Sequence, residues 1–308
     1  MSFILTKFFE NSKYQQDFID GKLYFSSLSE FSDLKIIGSQ EINGEKMGLL
    51  RNQEQRDPSE GIVADIKASE QNLETLFPNL ENNFLLNSRI RALGYSYCNV
   101  MSFHKIVLTF SFEYGPMAIS REETDMSNFG EFAIIVTKPN EFIQRVKKAI
   151  QKNNNWDYAI GSIAYHLPQK QEIKNNHLLL LSENTFTINN LEKKLNNKIS
   201  LEYDAFDKFI MYQKQKEWRI FINRNIPNKD NIRYLDVGNL SDCVKKTTRR
   251  DLDKSINKLL YTRQVYPIND SFYSNLSREQ MRQKVLDLGN NEVQILLTLI
   301  ASNKSVSI

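Results

Sequence analysis

A glutamine and a glutamate two residues apart, Gln215 and Glu217, stand within the stretch FDKFIMYQKQKEWRIFI from Phe206 to Ile222. Polar and apolar residues alternate from Gln215 onward. Side chains along a strand repeat with period two, so Trp218, Ile220 and Ile222 fall on one side, and Gln215, Glu217 and Arg219 on the other. The first side is expected to be core and the second to meet either solvent or a substrate. A carboxylate fixed on such a surface suits a reaction in which positive charge develops. A solvated charged face is the plainer alternative, since exposed Glu, Gln and Arg require no special role.

Other chemistry-bearing groups are scattered. The three histidines, His104, His166 and His177, lack the spacing of a multi-histidine metal site, and each reads as an ordinary surface or core residue. Cys98 and His104 would lie on one face of a strand, but six residues correspond to about 20 Å, too far for a catalytic pair. Arg56 to Gly61 (RDPSEG) reads as a turn that begins at Asp57-Pro58, flanked by the opposite charges of Arg56 and Glu60. Lys245, Lys246, Arg249 and Arg250 form the densest basic cluster, either a phosphate track for RNA or DNA or a solvated helix face. There is no GxxxxGK[ST] loop, GxGxxG turn, GxSxG elbow or HExxH pair, which sets aside the enzyme classes built on them.

The elements that would position these groups can be read in order. Residues 3–9 suit a short buried strand, and Asn11 to Ile19 a helix with Gly21 as its stop. Lys22 to Ser26 continue as a strand. The Gly-containing connection over 38–60 is long enough to serve as a lid or as a plain surface loop. Strands are expected over Tyr95 to His104, continuing or pairing with Ile106 to Phe112, and over Glu131 to Thr137. An amphipathic helix follows from Glu141 to Ile150, with Phe142, Val146 and Ile150 as its apolar stripe. Further strands are expected over Gly161 to His166, His177 to Leu181 and Ile232 to Val237. A helix N-terminus is expected at Asn239 to Asp242, a capping box at Ser277 and Gln280, and a last helix over Glu292 to Ser302.

Composition permits a full core: 308 residues, 41% of them hydrophobic. With 40 basic and 37 acidic residues, no global field dictates a partner, and a nucleic acid would have to be met by a local patch. Two cysteines cannot build a disulfide framework, which fits a cytoplasmic location. No secretory leader or membrane-spanning run is expected.

Taken together, the strand–helix–Gly opening TKFFENSKYQQDFIDGKLYF, the middle Met101-Ser102-Phe103 and the late Gln215-Lys216-Glu217 resemble the ADP-ribosyltransferase superfamily. The resemblance covers the order of elements over residues 3–225. It implies an α+β fold: a split, mostly antiparallel β-sheet core of ADP-ribosyltransferase type with surrounding helices. Residues 1–266 would be the catalytic domain and 267–308 a helical C-terminal extension. It also implies NAD as substrate. Glu217 would stabilise the oxocarbenium-like ribosyl group, Gln215 would orient the acceptor, Tyr24 would stack on nicotinamide, and Ser102 would support Glu217. Lys7 stands where the family carries Arg or His. The residue gripping NAD would be Lys7 or, in its place, Arg56 or Arg89. The acceptor implied is a macromolecule, an RNA or DNA base or a protein side chain. Toxin-type and phage-defence members of the superfamily are commonly intracellular and held by an antitoxin or inhibitor protein, for which the terminal helices offer a docking element.

Two other readings stay open on the residues alone. One is a non-catalytic nucleic-acid-binding or inhibitory accessory protein using the basic cluster. The other is a Mg²⁺-dependent nuclease with Asp57, Glu60 and Glu217 as ligands.

Overall fold

The computed structural model describes residues 2–28, 39–42, 45–48, 62–67, 87–92, 97–111, 115–118, 129–166, 205–225, 233–269, 271–288 and 293–297. Their strands are β1 (Ser2–Phe9), β2 (Lys22–Tyr24), β3 (Ser26–Ser27), β4 (Ser39–Ile42), β5 (Glu45–Gly48), β6 (Ile62–Lys67), β7 (Asn87–Ala92), β8 (Asn99–Ser111), β9 (Gly115–Ala118) and β10 (Phe132–Val136). Beyond these come β11 (Asp157–Ser162), β12 (Ala164–His166), β13 (Asp207–Phe209), β14 (Glu217–Asn223), β15 (Tyr234–Asp236), β16 (Val244–Thr248), β17 (Ile268–Asn269), β18 (Tyr273–Ser274) and β19 (Val293–Leu297). The helices are α1 (Ser12–Ile19), α2 (Pro139–Gln151), α3 (Leu252–Tyr261) and α4 (Arg278–Leu288). This is an α+β fold on a mostly antiparallel sheet.

The main sheet runs β16-β10-β1-β8-β14-β11-β18, with β17 also on β1, and β3 and β9 on β8. Every pairing in it is antiparallel. Both faces of its centre are covered, which explains why FILTKFF and FAIIV read as near-continuous apolar runs. On one face Phe3, Leu5 and Phe9 of β1 join Phe103, Trp218, Ile220 and Ile222, closed over by α1 and by Phe142, Val146 and Ile150 of α2. On the other, Ile4, Ile106, Leu108 and Ile135 pack against Leu252, Ile256 and Leu259 of α3. Phe103 is the hub of the first layer: the rings of Phe18, Phe142 and Trp218 approach it edge-on at 6.1, 5.5 and 5.6 Å.

Helix α1 is short and needs tertiary anchors. Asn11 caps it by accepting from the Tyr14 N–H at 3.0 Å. The buried Gln15 amide donates to the backbone carbonyls of Ala133 (2.6 Å) and Thr247 (3.0 Å), fastening the helix over β10 and β16. Gly21 ends it at φ +90°, packed against the Gly238 carbonyl.

The strand register opens a gap in the main sheet. β1 and β8 pair from Phe3↔Val107 to Thr6↔His104 and then part. Beyond that point β1 continues on β10 alone, to Phe9↔Phe132, while β8 continues on β14, from Glu217↔His104 to Ile222↔Asn99. The sheet therefore splits at Lys7 on one side and Phe103 on the other.

Several expectations are corrected. Asn239 to Asp242 open no helix: a turn there leads into β16, so Lys245 and Lys246 lie on an edge strand. The expected last helix is in part strand β19, paired with β7, because a short apolar run such as VQILL has no periodicity to separate helix from strand. The segment after 266 is not wholly helical: β17 and β18 join the main sheet before α4 begins. Ser277 and Gln280 do form the capping box, with backbone N–H to side-chain bonds of 2.9 and 3.1 Å. The α4 residue Lys284 reaches the buried Asp157 of β11 at 2.9 Å, so this helix docks on the sheet. His177 to Leu181 and most of the 38–60 connection lie outside the described residues.

Candidate active site

Strand β14 begins at Glu217, and Gln215 precedes it in a 3₁₀ turn over Ile210–Gln215. Between them Lys216 adopts φ +42°, the left-handed region that a lysine enters at a cost. Gln215 is therefore not on the strand, contrary to the simple alternation. The face expected to be polar is also dry: Glu217, Arg219 and Phe221 are all buried, as are Trp218, Ile220 and Ile222 opposite.

Burying that face requires the Glu217 carboxylate to be fully engaged. Its Oε1 accepts from the Ser102 hydroxyl on the neighbouring β8 and from Arg219 Nε two residues along. Its Oε2 lies 2.7 Å from Lys208 Nζ. The register places Arg219 opposite Ser102, which is why both reach one oxygen. Arg219 is itself held by the Ala205 carbonyl at 2.7 Å, and the Glu217 backbone N–H donates to the Tyr165 hydroxyl at 2.8 Å. Burial alone would raise the carboxyl pKa, but Arg219 and Lys208 outweigh it and hold the group well below the usual carboxylate range. Arg219 and Lys208 thus favour the ionised form of Glu217, and its hydrogen bonds fix the carboxylate's orientation.

Lys208 also donates to the Gln215 side-chain oxygen at 3.0 Å, so one ammonium joins the two residues singled out by their spacing. Lys7 stands on the other bank of the split. Its ammonium donates to the Ser102 carbonyl at 3.0 Å and lies 5.8 and 5.7 Å from the ring centroids of Phe9 and Phe103. Desolvation lowers its pKa from 10.5 to about 8, with Glu217 pulling the other way.

A cavity of about 490 Å³ opens where β1 and β8 part, lined among others by Lys7, Tyr24, Ser102, Lys208, Gln215 and Glu217. Its size is that of a small-molecule site. Tyr14, Tyr24 and Tyr234 stand exposed at its mouth. Tyr24 meets Tyr234 edge to face at 5.4 Å, and its hydroxyl accepts from Arg233 at 2.7 Å.

Five residues named from the sequence, Lys7, Tyr24, Ser102, Gln215 and Glu217, thus line one space. Arg56, with Asp57 and Glu60, lies outside the described residues, and Arg89 falls on β7. The basic cluster is not a single track. Lys245 and Lys246 are successive strand residues and face opposite ways, Lys246 bonds Gln16 of α1, and Arg249 pairs with Glu131 at 3.9 Å. Sequence reasoning missed Lys208, which no spacing marks, and read His104 as an ordinary histidine, because its pairing opposite Glu217 emerges only from the register.

No protein-family model matches this chain, and no curated protein or solved structure matches it either.

Proposed function

We propose that the chain is an ADP-ribosyltransferase that takes NAD into the split of the sheet and transfers ADP-ribose to a macromolecular acceptor. The observation that carries this reading is the Glu217 carboxylate, held ionised by Arg219 and Lys208 and oriented by Ser102 at the edge of a nucleotide-sized cavity. Breaking the nicotinamide–ribose bond sends the bonding electron pair away with nicotinamide and leaves an oxocarbenium-like ribosyl group, which a fixed carboxylate stabilises. An acceptor atom then bonds to the same carbon and gives up its proton.

The chain's own residues suit the parts. Glu217 faces the ribose and Gln215 the acceptor. Lys7 offers a cation for the pyrophosphate through charge-assisted hydrogen bonds. Tyr24 offers a stacking surface beside the cavity mouth. Of the three carboxylates a Mg²⁺ nuclease would use, Asp57 and Glu60 lie outside the described residues and Glu217 is paired with Arg219 and Lys208, so nothing in the described geometry favours that reading. A basic-cluster binding protein is disfavoured because Lys245 and Lys246 face opposite ways along β16 and Arg249 is paired with Glu131.

The test is incubation of the purified protein with NAD labelled in its adenosine moiety and separate pools of cellular protein, RNA and DNA, beside Glu217→Ala. Transfer of label to one pool by the wild type alone supports the reading and names the acceptor class. Neither transfer nor nicotinamide release from a protein verified as folded would remove it.

A further inference from the structure

A buried histidine holds the corner from which Gln215 works. His104 sits on β8 directly opposite Glu217, is 7% exposed, and lines the cavity. Its Nδ1 lies 2.8 Å from the Gln215 backbone carbonyl. A carbonyl only accepts, so Nδ1 carries the proton, and burial keeps the ring neutral by lowering its pKa to about 4.

The next residue of β8 makes the second tie: the Lys105 N–H donates to the Lys216 carbonyl at 2.8 Å. The Lys216 N–H in turn donates to the Gln213 carbonyl at 3.1 Å. These three bonds clamp the peptides on both sides of Lys216, the residue at φ +42°. A left-handed lysine persists only where its surroundings over-determine it. His104 supplies the one side-chain bond among the three. Glu217, by contrast, is fixed by bonds with Ser102, Arg219, Lys208 and Tyr165, none of which involves the His104 side chain.

We propose that His104 is a positioning residue for Gln215: it holds the left-handed corner at Lys216 so that the Gln215 side chain faces the acceptor, and it thereby sets the division between transfer to the acceptor and hydrolysis of NAD. This rests on the transferase reading. Without the His104 bond the corner relaxes toward ordinary backbone, Gln215 leaves its place beside Lys208, and water replaces the acceptor at the ribosyl carbon. The ribosyl carbon then bonds to water oxygen, a proton is released, and free ADP-ribose results.

The experiment measures nicotinamide release and ADP-ribose transfer side by side in wild type, His104→Phe and His104→Asn, with melting temperatures to verify folding. His104→Phe keeps the ring shape and loses the donor; His104→Asn keeps a donor near the Nδ1 position. His104→Phe is expected to lose about tenfold in transfer, equivalent to about 1.4 kcal/mol of transition-state stabilisation, while its nicotinamide release stays near wild type. His104→Asn is expected to restore transfer. Equal loss of both activities in His104→Phe, or no recovery in a folded His104→Asn, overturns the proposal. A wild type that releases no nicotinamide overturns the transferase reading instead, so the two failures are distinct.

Discussion

Lys7 donates to the Ser102 carbonyl across the gap that β1 and β8 leave when they stop pairing, with Nζ and O 3.0 Å apart. The contact bridges the two banks of the cavity and leaves the ammonium among aromatic rings, where desolvation brings its pKa down to about 8. Its charge is therefore lost within an accessible pH range. If Lys7 grips the pyrophosphate, NAD affinity measured by calorimetry should fall roughly tenfold as pH rises from 7 to 9, the scale of one charge-assisted hydrogen bond. Lys7→Met should bind weakly at both pH values. An unchanged affinity in the wild type would place the pyrophosphate elsewhere.

The same group contributes to stability with a definite sign. Folded Lys7 gives up its proton near pH 8, whereas in the unfolded chain it does so near the ordinary 10.5. Between these values the unfolded state binds more protons, so Lys7 makes the fold more stable as pH rises through that window. Denaturant unfolding of wild type and Lys7→Met at pH 7.5 and 10 should show the wild type gaining stability relative to the variant at the higher pH.

Ser102→Ala removes one of the two donors on Glu217 Oε1 and leaves Arg219 in place. A hydrogen bond to a charged group is worth about 1.5–3 kcal/mol. The variant should retain its fold and NAD binding while nicotinamide release drops about 10- to 100-fold. Loss in KM alone, with kcat untouched, would mean that Ser102 orients nothing needed at the transition state.

Glu217→Gln tests both chemistry and architecture. On the transferase reading it removes the carboxylate that would stabilise the transition state, with an expected loss of about 10²–10³ in rate. It also strands Arg219 and Lys208 as buried cations without their counter-charge, and breaking such a pair costs about 3–5 kcal/mol. The double variant Glu217→Gln with Lys208→Met removes one stranded cation and should recover part of the stability without recovering activity. Chemical denaturation alongside the nicotinamide assay separates the two effects.

Local pattern made much of this fold legible. Alternation and apolar runs marked β1, β10 and β14, Asn11 and Gly21 bounded α1, and Ser277 with Gln280 announced α4. The Gln215-x-Glu217 spacing also led to two residues that line one cavity. What local pattern could not supply was register. That Ser102 and Arg219 meet one oxygen of Glu217, and that His104 faces Glu217, rests on pairing between strands more than a hundred residues apart. Lys208 was equally hidden, because a lysine nine positions before a glutamate has no periodic relation to it. The reading of Asn239 to Asp242 as a helix start failed because the same small polar residues serve turns, and here they turn the chain into β16.

His104 gives the site an acid limit that can be measured without substrate. Its folded pKa is held near 4 by burial, against an ordinary value of 6.5 in the unfolded chain. Between those values the unfolded state takes up a proton that the folded state refuses, so stability falls as pH drops from about 6.5 toward 4. Complete loss of that contribution amounts to roughly 3 kcal/mol. His104→Asn has no titrating group at this position and should show a correspondingly shallower loss. Urea midpoints of the two proteins, compared at pH 7 and pH 5, provide the test: the gap between them should move in favour of His104→Asn at the lower pH. A constant gap would mean that the ring takes up its proton equally in both states, and that water reaches His104 in the folded protein.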